Sequence, residues 1–155
     1  MVKPKKTVKA PLVRIAIVAS RFNDFIAKPL LNACWMELKR NGLKEEHITT
    51  VWVPGAFEIP VAALKLAQKK NVDAVICLGA VIRGETYHFD VIANECARGI
   101  MDAALSTGKP VIMGVLTTDT VDQAQKRAQD KGGPNKGRDA AQTALDMVQL
   151  LKAVQ

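Results

Sequence analysis

Four short apolar runs rich in β-branched residues recur along the chain, and each is followed by a stretch with helical spacing. The runs are residues 13–19 (Val-Arg-Ile-Ala-Ile-Val-Ala), 48–53, 73–81 and 111–117. Helical spacing follows at 24–40, 57–69, 86–105 and 120–130, with a last helix at 138–153. Strand–helix alternation of this kind predicts parallel pairing, because a crossover helix must return the chain to the same end of the sheet. Strands that are apolar throughout, rather than at alternate positions, predict a sheet covered on both faces. The expected architecture is a three-layer α/β/α sandwich around a four-stranded parallel sheet. Punctuation supports the boundaries. Asn23 or Asp24 can cap the first helix, Gly42 can stop it, and Pro60 falls in the first turn of the second, where it is tolerated. Gly132-Gly133-Pro134-Asn135 separates the last two helices.

Length narrows the organisation further. At 155 residues the chain predicts one domain, 12–155, preceded by a basic arm, 1–11, with no internal repeat or linker. The net charge of +7 invites a nucleic-acid reading, but its distribution weakens it. Lys3, Lys5, Lys6 and Lys9 lie in the first ten residues without an acidic neighbour, so over half of the +7 belongs to the arm. A solvated tail is the expectation there, and no apolar segment follows the lysines to make a secretory signal. No run is long and apolar enough for a membrane span. Cys34, Cys77 and Cys96 are odd in number, lie in apolar patterns and form no C-x-x-C. They read as buried, reduced thiols, pointing to a reducing compartment, most simply cytoplasm. No cluster with metal-ligand spacing occurs, and no G-x-G-x-x-G dinucleotide fingerprint.

In sheets of this kind ligands bind beyond the carboxyl ends of the strands. Those ends read Ser20-Arg21-Phe22-Asn23, Pro54-Gly55-Ala56-Phe57-Glu58, the segment 79–88, and Thr117-Thr118-Asp119. Six of the seven aromatic residues (Phe22, Phe25, Trp52, Phe57, Tyr87, Phe89) lie in or beside the first three turns, as core packing or as a platform for a flat conjugated ligand. Residues 79–86, Gly-Ala-Val-Ile-Arg-Gly-Glu-Thr, have the spacing of a nucleotide phosphate loop, except that Glu85 replaces its lysine. A carboxylate there repels a triphosphate and argues against an ATPase or GTPase. With Thr86 as N-cap, the helix start still offers free N–H groups to a single phosphate, or is a plain strand-to-helix turn. His88 lies in the first helical turn, where the dipole disfavours its charged form and leaves a neutral base for proton transfer. His47 falls in a polar loop and is expected to be exposed. Arg127, among Gln123, Lys126 and Lys131, reads alone as a solvated face, and so does Lys136.

Taken together, Arg-Phe-Asn at 21–23, Val-Pro-Gly-Ala-Phe-Glu-Ile-Pro at 53–60, Gly-Ala-Val-Ile-Arg-Gly-Glu-Thr-Tyr-His-Phe-Asp at 79–90, Gly-Val-Leu-Thr-Thr at 114–118 and Asn-Lys-Gly at 135–137 resemble the lumazine synthase family over about residues 12–152. The resemblance implies a flavodoxin-like fold and a transferase of riboflavin biosynthesis. It would condense 5-amino-6-(D-ribitylamino)uracil with 3,4-dihydroxy-2-butanone 4-phosphate to 6,7-dimethyl-8-ribityllumazine, releasing phosphate and water, without cofactor or metal. By the same resemblance Phe22 stacks on the pyrimidine. Ala56, Phe57 and Glu58 hold the ribityl chain, Ala80, Val81 and Ile82 meet the pyrimidine edge, and Met113 and Lys136 complete that site. Glu85 and Thr86 offer backbone N–H groups to the phosphate, Arg127 pairs with it from a neighbouring subunit, and His88 transfers protons. The implied partners are small-molecule substrates, copies of the same chain and, functionally, riboflavin synthase, with neither nucleic acid nor membrane among them.

Two positions depart from the family pattern. Met113 stands where an aromatic residue is common, a change a flexible thioether tolerates. The segment Lys131-Gly132-Gly133-Pro134-Asn135-Lys136-Gly137 has one residue more than in the family's shell-forming members, and it brings a proline. That predicts a pentamer in place of the sixty-subunit shell, and it leaves Lys131 as the alternative to Lys136 for the family's site lysine. Two rival readings stay open at this point: a flavodoxin-like protein that holds a flavin or lumazine without turning it over, and a nucleic-acid-binding module that uses the arm.

Overall fold

The computed structural model describes residues 13–155. The basic arm with its four lysines lies outside the described residues. Strands β1 (Ile15–Ser20), β2 (Ile48–Val53), β3 (Ala74–Ile82) and β4 (Val111–Thr118) form one sheet in the order β2-β1-β3-β4. Every pairing is parallel. Helices α1 (Asp24–Arg40), α2 (Ile59–Ala67), α3 (His88–Thr107), α4 (Val121–Lys126) and α5 (Lys136–Ala153) cover it. Among the described residues no helix is long and apolar enough to cross a membrane.

Side chains alternate across the sheet, and both sets are buried. Ile15, Ile17, Ile76 and Leu78 pack with α1, α4 and α5. Ala16, Val18, Val75 and Cys77 pack with α2 and α3. This is the three-layer α/β/α sandwich of the flavodoxin-like kind that the continuous apolar strands predict. The three thiols are free and buried. Burial pushes the Cys34 thiol up to about 12 and the Cys96 thiol up to about 11, and it raises that of Cys77 further, with Cys96 adding to the shift. Buried thiols of this kind are inert.

Strand order sets where a ligand can enter. From β1 the chain runs to β2 on one side, through α1. From β2 it returns through α2 on the other face, past β1, to β3. Connections therefore leave β1 and β3 in opposite directions, and a crevice opens over their carboxyl ends.

Several boundaries move from their sequence-based positions. Ala56–Glu58 form a separate 3₁₀ turn, so α2 is shorter than the apolar spacing suggests. The fourth helix stops at Lys126, because Ala128 turns away to bridge with Asn135. Lys131 and Gly132, both at positive φ (57° and 86°), reverse the chain between them. His47 is buried in a 3₁₀ turn (Glu45–His47), not exposed, and its Nδ1 has no partner among the described residues. Polarity of the neighbouring sequence misled there: Ile48 and Leu43 carry the turn into the core.

Asn135 and Gly137 dock α5. Asn135 is 2% exposed. Its Oδ1 accepts from the N–H of Gly137 at 2.8 Å and of Arg138 at 3.4 Å, the N-cap arrangement. Its Nδ2 donates to the carbonyls of Gln129 at 3.1 Å and Pro29 at 3.3 Å, which ties α5 to the preceding loop and to α1. A Cβ on Gly137 would collide with the backbone carbonyl of Leu30, which cannot move aside as a side-chain tip could. Gly137→Ala should therefore destabilise the fold by about 1–3 kcal/mol, the usual range for overpacking. Denaturant unfolding at fixed protein concentration reads this directly, and an unchanged midpoint would show that α5 does not sit this close to α1.

Candidate functional site

The crevice at the direction reversal has a volume of about 600 Å³. Three turns build it. After β1, the N–H groups of Arg21 and Phe22 donate to the carbonyls of Val53 and Pro54 at 2.9 and 3.0 Å, carrying the β1–β2 pairing into the turn. Asn23 then sits in the left-handed region (φ 60°). Its side chain does not cap α1; Nδ2 donates across the crevice to the carbonyl of Ala80 at 2.9 Å. This holds Phe22 at the mouth with 73% of its surface exposed, an unusual cost for an aromatic residue unless a flat partner covers it.

After β2, the 3₁₀ turn places Phe57 (55% exposed) and Glu58 on the wall. The Glu58 carboxylate lies over Gly55 and has no hydrogen-bond or ion-pair partner among the described residues. Ala80, Val81 and Ile82, at the end of β3, form the floor with Phe89 and Ile92 of α3. Beneath them Gly79 has no room for a side chain, because the buried Ser20 hydroxyl stands where its Cβ would be.

The β3–α3 turn differs in detail from its expected form. The helix starts at His88 with Tyr87 as its first flanking residue, so Thr86 is not the N-cap. Thr86 Oγ1 accepts a long bond (3.4 Å) from the His88 N–H. Residues 84–87 are thereby left outside the helix, and their four backbone N–H groups have no acceptor among the described residues. They are a ready anion-binding edge in front of a twenty-residue helix. Gly84, Thr86 and His88 line the crevice, and Glu85 is not among its lining residues.

The structure thus brings Phe22, Ala56, Phe57, Glu58, Ala80, Val81, Ile82, Thr86 and His88 into one crevice. It does not bring Met113, Arg127 and Lys136 there. These three line a second crevice of about 680 Å³, between the outer edge of β4 and α3, α4 and α5. Arg127 Nη1 donates to the Gln123 carbonyl at 3.0 Å, and the Lys136 ammonium pairs with Asp139 at 3.0 Å. Lys131 lies in a different groove, beside Met36 and Arg40, so Lys136 is the lysine placed near Arg127.

The two crevices share no residue, and their chemistry is complementary. The first holds the aromatic rings, the histidine and the unpaired N–H groups, but no lysine or arginine lines it. The second holds a guanidinium and an ammonium, but no histidine or aromatic ring. Sequence reasoning gave Asn23 no specific role beyond a cap and Arg83 no role of its own; the Arg83 guanidinium meets Asp119, Asp90 and Phe89. The signal for Asn23 was its place directly after a strand in a tight turn, where a side-chain amide serves left-handed backbone. Among the described residues no group of three or more His, Cys, Asp and Glu is placed to hold a metal ion.

Residues 12–152 match the family of 6,7-dimethyl-8-ribityllumazine synthase. With a four-stranded parallel sheet, and with that match spanning nearly its whole length, the chain belongs to the lumazine synthase family, enzymes of riboflavin biosynthesis.

Proposed function

We propose that this chain condenses 5-amino-6-(D-ribitylamino)uracil with 3,4-dihydroxy-2-butanone 4-phosphate to 6,7-dimethyl-8-ribityllumazine, with release of phosphate and water. One observation carries the reading beyond family membership. The first crevice puts an exposed ring, an unpaired carboxylate, a histidine and a run of free N–H groups around one space. The reaction needs each of them. Phe22 stacks on the pyrimidine, whose edge meets Ala80, Val81 and Ile82. Glu58 accepts hydrogen bonds from ribityl hydroxyls, beside Ala56 and Phe57. The N–H groups of Glu85 and Thr86 hold the phosphate.

The chemistry is proton traffic. The amine adds to the ketone, water leaves as the imine forms, phosphate is eliminated, and the second amine adds to the carbonyl thus formed and closes the ring with loss of a second water. His88, at the start of α3 and beside the phosphate loop, takes and returns those protons. Much of the rate comes from holding two substrates in register. The route involves no net redox change and needs no cofactor or metal.

A phosphate dianion held by N–H groups alone lacks a counter-charge, and the first crevice has no cationic lining. The second crevice supplies what is missing. Head-to-tail packing of identical chains sets one copy's β4 edge against the next copy's first crevice and closes into a ring. Arg127 then forks onto the phosphate, and Met113 and Lys136 complete the pyrimidine end. Met101 and Met113 are 58% and 41% exposed on that edge and would be covered. We take the ring to be a pentamer of the domain 12–155. The Lys131–Gly137 loop, with positive φ at Lys131 and the extra proline residue, gives each ring a surface unsuited to a sixty-subunit shell. Three inert thiols fit a reducing cytoplasm, where riboflavin synthase would consume the product.

His88→Asn should slow lumazine formation by about 10²–10⁴-fold, the usual contribution of a general acid–base group, and leave product affinity nearly intact. Unchanged turnover would remove His88 from the mechanism. Light scattering should find particles of five chains; a megadalton particle would contradict the reading of the 131–137 loop.

A further inference from the structure

Arg83 closes β3's turn, one residue before the free N–H groups. Its backbone N–H donates to the Thr118 carbonyl at 2.9 Å, where β3 and β4 still pair. Nε donates to Asp119 Oδ1 at 2.8 Å, and Nη1 to Asp90 Oδ2 at 3.2 Å. The guanidinium carbon lies 4.3 Å from the centre of the Phe89 ring. One planar cation therefore joins three parts: the turn after β3, the turn after β4, and the first helical turn of α3.

Stability does not explain this cluster. The side chains of Arg83, Asp90 and Asp119 are 44%, 33% and 65% exposed, and ion pairs that open to water contribute little. Charge placement does. Asp90 and Asp119 flank the segment 84–87, and Glu85 adds a third carboxylate within it. A phosphate dianion approaching that segment meets repulsion unless the carboxylates are compensated. Gly84, with nothing within 4 Å of where a Cβ would stand, gives the segment no packing of its own. Its position is inherited from Arg83 on one side and from α3 on the other.

We propose that Arg83 is a positioning residue for the phosphorylated substrate: it braces the 84–87 segment and neutralises Asp90 and Asp119, without touching the substrate. The proposal rests on the reading of that segment as a phosphate seat. Stacking on Phe89 fixes the guanidinium plane so that different edges reach the two carboxylates, which an ammonium cannot imitate. The ion pairs with Asp119 and then Asp90 also raise the Arg83 pKa above its ordinary value, so its charge is constant across the working pH range.

The test is steady-state kinetics with both substrates for the native chain, Arg83→Gln, Arg83→Lys and the double variant Arg83→Gln/Asp119→Asn. Arg83→Gln should raise KM for the sugar phosphate roughly tenfold, more at low salt, where bare carboxylates repel the dianion further. KM for the pyrimidine should stay within about twofold, because Phe22 and Glu58 are untouched. The double variant should recover part of the loss, since it removes the Asp119 charge but leaves Asp90 bare, whereas a merely structural defect would show no recovery. Arg83→Lys should fall between, and it carries the test if the glutamine variant folds poorly. Equal changes in both KM values, or no recovery on removing the Asp119 charge, would overturn the proposal. A native chain that makes no lumazine would instead defeat the proposed function itself.

Discussion

The parallel pairing of β1 with β3 is the constraint from which the crevice follows. Their register, Ile15 opposite Ala74 through Ala19 opposite Leu78, ends β1 beside Gly79 and lets β3 run on to Ile82 beneath the place where the chain changes direction. Close contact there demands Gly79, since the Ser20 hydroxyl occupies the space a side chain would need. One residue further on, Asn23 spans the gap to the Ala80 carbonyl and fixes the turn that carries Phe22. Loosening this pairing would separate the ring from the floor. The apolar layers on either side serve the site mainly by holding these two strand ends rigid.

A second theme is the division of charge. Oriented N–H groups ahead of α3 attract an anion, but carboxylates surround them, and the nearest guanidinium is spent on those carboxylates. Cations of the right kind line the far edge of the sheet: Arg127, bonded to the Gln123 carbonyl, and Lys136, paired with Asp139. The docking of α5 through Asn135 and Gly137 is thus more than packing, because it fixes Lys136 between them and places the Arg127 carbonyl 2.8 Å from the Lys136 N–H. On the proposed reading, a protein built this way completes its site by association, which links assembly to catalysis.

Much of this was legible in the sequence. Continuous apolar runs such as 73–81 announced a buried parallel sheet, and the strand ends named the turns that form the crevice. Glu85 in the place of a lysine argued against a triphosphate before any geometry was known. What escaped was set by tertiary contact. Thr86 looks like a cap, but the helix begins at His88 because the residues before it must reach over the β3 end. His47 looks exposed in a charged segment, yet the fold draws it inward. Asn23 and Arg83 act across distances of 57 and 36 residues in sequence, which no local pattern encodes. The separation of Arg127 from His88 is likewise a property of sheet order.

The central claim is that one chain carries half a site at each side of its sheet. Mixing two inactive variants tests it most directly. His88→Asn damages only the first crevice, and Arg127→Ala only the second. Unfolded together in equal amounts and refolded, they should form mixed rings in which about a quarter of the junctions carry both native halves, and lumazine formation should return to about that fraction of the native rate. If activity in the mixture stays at the level of the separate variants, although mass measurement shows mixed assemblies, the two crevices do not form one site and the account is wrong.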